Sequence, residues 1–249
     1  MISCSFFCWI QFFCIISLAV LAGISVIRFI PWSEESHRIS MPLAFGVSIA
    51  PALLGLSSTC TLIFFPGWSH KSHLLFTVLF LCIAFLPNIF NFLPYLRSLK
   101  SLKSKISWQE KPLFFILFLW IAGQFLDVMF FPVTQNDALE YVTVGKILFE
   151  QRDIMAYPVL NPLENSAGFY GPWTHPPLYV SLIYLMNIIQ GNADSSALLK
   201  LIAPLFALGS TLLVYKVGLF TNRKTGLFAS IFFLSCPLYY LSVAETLID

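Results

Sequence analysis

Apolar residues run along this chain in long, nearly unbroken blocks, without the alternation or three-to-four spacing of a soluble fold. A hydrocarbon core about 30 Å thick needs roughly 20 helical residues. Six stretches reach that scale: 5–30, 41–65, 73–96, 112–131, 197–220 and 225–243. A seventh, 176–190, is shorter and opens on Pro176-Pro177 beside His175. The first stretch lacks a basic leading region and exceeds an ordinary signal core, so it is expected to be a retained span.

Charge placement sets the count of crossings. The segment 97–111 carries Arg97, Lys100, Lys103, Lys105 and Lys111 against Glu110 alone. Cytoplasmic loops concentrate Lys and Arg, which places this segment inside. The compact basic loop Thr221-Asn222-Arg223-Lys224 is placed inside for the same reason. An even number of crossings must separate the two, and 112–131 with 197–220 supply two. The stretch 176–190 is therefore predicted as an interfacial or re-entrant helix on the outer side. The expected fold is all-α: a polytopic transmembrane helical bundle with interfacial helices in a long outer loop, 132–196.

Composition agrees. Hydrophobic residues make up 58% of the 249, charged residues 10%, and mean hydropathy is +0.81. A soluble domain carries roughly 25% charged residues. The net charge of +2 and the lack of a basic tract leave nucleic acid out as a partner. Cys4, Cys8, Cys14, Cys60, Cys82 and Cys236 lie in apolar runs, with no C-x-x-C pair and no His at ligand spacing, as buried thiols do.

Three groups of residues can carry chemistry. Asn136-Asp137-Ala138-Leu139-Glu140-Tyr141 follows the fourth span, where Asn136 or Asp137 can cap a helix running to about Glu150. On it Asp137, Glu140, Tyr141 and Val144 share one face, and Leu139, Val142, Lys146 and Phe149 another. Such a helix can lie on the membrane surface with both carboxylates turned upward. The plainer alternative is a capping Asp137 and a solvated Glu140. Next comes Tyr170-Gly171-Pro172-Trp173-Thr174-His175-Pro176-Pro177-Leu178-Tyr179, where the prolines preset a first helical turn. His175 then stands at a helix start, where unpaired N–H groups favour an anion. Trp173, Tyr170 and Tyr179 suit the headgroup level. Last is Ala244-Glu245-Thr246-Leu247-Ile248-Asp249, delivered by the final span to the same outer side as Asp137.

The order and spacing of these groups resemble the GT-C class of membrane glycosyltransferases. That class includes protein mannosyltransferases and the transferases of aminoarabinose to lipid A. The matching pieces are Asp137 with Tyr141, His175-Pro176-Pro177-Leu178-Tyr179, Arg223-Lys224-Thr225-Gly226-Leu227, and Ser235-Cys236-Pro237-Leu238 through to Asp249. They divide the chain into 1–111, a three-span region that matches nothing in the class, and 112–249, the N-terminal part of a GT-C-like module. Members continue beyond the second acid with further spans. Where the class commonly has Asp-Glu adjacent, this chain has Asp137-Ala138 and then Glu140.

The resemblance implies sugar transfer from a polyprenyl-phosphate donor to an acceptor at the outer face of the cell (plasma or inner) membrane. Asp137 would orient or deprotonate the acceptor hydroxyl, with Glu140 as a further acid. His175 and the helix start behind it would steady the leaving phosphate, with Trp173, Tyr141 and Tyr179 lining the substrate. Asp249 would assist Asp137 directly or through a divalent cation, which only some members use. The rivals are a transporter or channel and a noncatalytic membrane scaffold. Asp127 is the one carboxylate inside a predicted span, whereas transport sites lie near the midplane.

Overall fold

The computed structural model describes residues 6–27, 40–88, 107–130, 133, 136–157 and 177–244. The described residues form an all-α membrane bundle. Its helices are α1 (Phe6–Ile27), α2 (Ser40–Phe64), α3 (His70–Phe85), α4 (Lys111–Phe130), α5 (Asn136–Gln151), α6 (Pro177–Gln190), α7 (Ile202–Gly218), α8 (Arg223–Ser235) and α9 (Pro237–Ala244). Four stretches are long and apolar enough to cross a membrane: Phe6–Val26, Pro42–Phe64, Lys111–Phe130 and Leu199–Gly218.

One predicted span comes out differently, and the end of another, 89–96, lies outside the described residues. The third is described as α3 with a tight turn at Leu86–Asn88. The last is broken: α8 and α9 meet at Cys236 with a bend of 66°. Pro237 lacks an N–H and pushes the residue before it out of the helical region. Cys236 accordingly sits at ψ 119°, and α9 restarts on Pro237.

α2 lies at the centre, packed on α1, α3, α6 and α7, while α5 packs on α6, and α8 joins α7 to α4. Small residues permit these contacts, as in membrane helix pairs generally. A Cβ on Gly23 would lie 2.8 Å from the Gly46 carbonyl oxygen, and one on Gly209 would lie 2.7 Å from Ser48 Cα. Polar caps fix two of the helix starts. Ser69 Oγ accepts from the Ser72 N–H at 3.2 Å for α3, and Asn222 Oδ1 accepts from the Thr225 N–H at 2.9 Å for α8.

The two ends of the bundle carry different groups. At one end the Gly67 N–H donates to the Arg152 carbonyl at 2.9 Å, and His70 Nε2 donates to the Phe149 carbonyl at 2.9 Å. Cys8 Sγ, in the first turn of α1, lies 3.8 Å from the Gln190 carbonyl at that same end. At the other end Arg223 Nη1 meets Glu110 Oε2 at 3.1 Å, and Lys224 Nζ meets Gln109 Oε1. The basic segment 221–224 thus sits beside the start of α4, as an even number of crossings requires. Ser107 and Glu110 also form half of a capping box, in which the Ser107 N–H donates to Glu110 Oε2 at 2.8 Å.

That amide first, and then Arg223, holds the Glu110 carboxyl below the usual carboxylate range. A depressed folded-state pKa contributes stability above the unfolded value and loses it as pH falls through the folded one. Acid titration of the thermal midpoint should therefore show a decline below the usual carboxylate range that Glu110→Gln reduces. An unchanged profile in the variant would leave the ion pair without a role in stability.

Candidate functional site

α5 and α6 form a parallel pair sunk into the bundle. Tyr141 and Tyr179 meet edge to face with ring centroids 5.0 Å apart. Four residues further along both helices, a Cβ on Gly145 would lie 2.4 Å from Ile183 Cγ2. α6 also runs parallel to α2. Leu178 packs against Gly55, and further on Tyr184 reaches His73, whose Nε2 bonds to the Phe65 carbonyl at 2.9 Å. Gly55 is nine residues before Phe64, so α6 starts about 14 Å below the end of α2. It rises from there to the end that holds Gln190.

Residues Val180 to Gln190 are all buried, so this helix is wrapped by protein. α5 is packed on one side only. Its packed face is Ala138, Tyr141, Val144, Gly145 and Leu148, whereas Leu139 is 44% exposed. Tyr141 and Val144 turn inward onto α6, because Gly145 lets that face approach most closely. Glu140 is half-buried and forms no ion pair with a described residue.

The arrangement sets the start of α5 beside the start of α6. Asp137 is the second residue of α5, and Pro177 is the first residue of α6. The two positive helix ends therefore point the same way from neighbouring positions. The Asp137 side chain, together with Trp173, His175 and Asp249, lies outside the described residues. Tyr141, 2% exposed, and half-buried Tyr179 pack on each other at the helix interface. Among the described residues no three His, Cys, Asp or Glu side chains could together hold a metal ion. Lys146 Nζ ties α5 to Asp194 at 2.8 Å, an exposed pair worth little stability.

A further group escaped sequence reasoning. His73 and Tyr184 are buried together, and His73 uses both ring nitrogens. A carbonyl can only accept, so Nε2 carries the proton and Nδ1 accepts from the Tyr184 hydroxyl. Tyr184→Phe would strand Nδ1 and should destabilise the bundle by about 1–3 kcal/mol in thermal unfolding; an unchanged midpoint would show that the pair contributes nothing. The signal was present in 176–190: Ser181, Tyr184, Asn187 and Gln190 recur every third residue within an apolar stretch.

No family model, no curated protein and no solved structure matches the chain.

Proposed function

We propose that this membrane protein is a glycosyltransferase of GT-C type. It would transfer a sugar from a polyprenyl-phosphate donor to an acceptor on the outer side of the cell membrane. One observation supports this above the others: the helix that carries Asp137 near its start lies beside, and parallel to, the helix that follows His175-Pro176-Pro177. Two helix starts separated by about 40 residues of chain are thus neighbours, as a base beside a phosphate site would require.

The chemistry suits the position. Paired helix starts favour a negative charge that develops on the leaving phosphate. A carboxylate at Asp137 can take the proton of an acceptor hydroxyl during in-line attack at the anomeric carbon. The flank of α5 that carries Leu139 and Thr143 is exposed, so a donor anchored in the bilayer can approach the helix starts sideways. The test is transfer of radiolabelled sugar from a polyprenyl-phosphate donor by membranes carrying the full chain, against membranes without it. No transfer above the control with any hexose or pentose donor, while the protein is present and folded, would end this reading.

Sidedness is a separate expectation. Cysteine at position 164 should react with an impermeant reagent added outside, and cysteine at 103 or 223 should react only after permeabilisation. Outside labelling at 223 would make α6 a crossing and would separate Asp137 from Asp249.

A second reading has one observation in its favour. The buried polar stripe of α6 could pass a small polar solute, as in a transporter. Solute flux into proteoliposomes without any sugar transfer would select it.

A further inference from the structure

We infer that the first turn of α3 is an acid-sensitive clasp, in which proton uptake by His73 frees Tyr184 and loosens α6 while α5 stays held. Two histidines of that turn face two different helices. His70 stacks on Phe149 with ring centroids 4.1 Å apart, and its Nε2 donates to the Phe149 carbonyl near the end of α5. His73 is 1% exposed, and its ring centroid lies 5.9 Å from that of Tyr184 in the middle of α6. Its two ring nitrogens have opposite roles: Nε2 donates to the Phe65 carbonyl, and Nδ1 accepts from the Tyr184 hydroxyl. Only a neutral imidazole can do both.

A further proton acts differently on the two rings. On His73 it would turn Nδ1 into a donor facing a donor, and would enclose a charge. α1 and α2, which pack on α3, carry cysteines but no charged residue, and α6 offers only its tyrosines. On α3 itself Lys71 is exposed. Among the described residues the charged groups that bear on His73 are His70 and Arg152, so no anion there offsets the burial of a cation. On His70 the added proton goes to Nδ1 and leaves the bond to Phe149 intact. The Phe149 carbonyl is among the last four of α5, where the helix dipole favours a cation. A second tie to that helix end does not titrate at all: the Arg152 carbonyl, on a residue at φ 59°, accepts from the Gly67 N–H at 2.9 Å. The fold holds His73 in its neutral form, so the clasp is closed at higher pH and opens as pH falls. It is independent of sugar transfer.

The test is hydrogen–deuterium exchange of the full chain in nanodiscs at about pH 7.5 and about pH 5.5, either side of the ordinary imidazole value. Labelling times are scaled for intrinsic exchange, and both values lie above the range in which Glu110 loses its charge. Amides of 182–190 should exchange several-fold faster at the lower pH, and those of 144–151 should not change. His73→Gln cannot titrate and should remove the step, whereas Tyr184→Phe should leave α6 equally loose at both values. Equal protection of 182–190 at both values in the unmodified chain would overturn the inference, and that comparison needs no variant to fold. So would a step that persists in His73→Gln, or one shared equally by 144–151, since a general loosening is not the release of one helix.

Discussion

Asp137→Asn should lower sugar transfer about 10²–10⁴-fold at equal membrane abundance, the range expected when a positioned base is lost. Asn caps a helix about as well as Asp, so insertion and thermal stability should change little. This separation makes the substitution informative, because a purely capping Asp137 would leave turnover intact. Glu140→Gln should have the smaller effect, since Glu140 stands nearly one turn further along α5 from its start. The assay compares wild type with both variants on a labelled polyprenyl-phosphate sugar. Near-full turnover by Asp137→Asn would remove the carboxylate from the chemistry.

Gly145→Val should be among the most disruptive single changes in the bundle. Even a bare Cβ there would come within 2.4 Å of Ile183 Cγ2 and 3.0 Å of Ile183 Cβ. The second distance matters more, because a β carbon cannot swing away, and Ile is stiff at χ1. Overpacking of this kind costs about 1–3 kcal/mol. It would also push α5 off α6 and so part the two helix starts, which makes lost transfer a second readout. Ile183→Ala opens the space, so the double variant should be more stable than the sum of the singles, by about 0.5–3 kcal/mol. Strict additivity in thermal unfolding would mean that the two helices do not meet at this point.

The sequence carried the helices further than it carried their depth. Apolar block lengths located α1, α2, α4 and the helix at 199–218 to within a few residues. The prolines and Asn136 marked the starts of α6 and α5. What periodicity could not deliver was which face is covered. On α5 both Tyr141 and Val144 are buried, and Tyr141 packs on Tyr179, 38 positions away along the chain. Only the absence of a side chain at Gly145 decides that orientation, and a lone glycine is a weak sign. The break at Cys236-Pro237 was written in the chain, but a proline within a membrane helix is often tolerated, as Pro51 is within α2. Of the predicted site, the structure joins the starts of α5 and α6, while the acids and His175 themselves rest on the sequence.

The contact between Arg223 and Glu110 has a consequence for biogenesis. These residues are 113 positions apart. At about 5–20 residues per second of synthesis, the guanidinium emerges roughly 6–20 s after the carboxylate it will meet. Throughout that interval the newly made α4 lacks α8, and for most of it α7 as well. The exposed face of Phe115, Phe118, Leu119, Leu126 and Phe130 suits that wait, since lipid alone can satisfy it. α4 is built to enter the bilayer as an independent passenger, and its latch arrives with a later part of the chain.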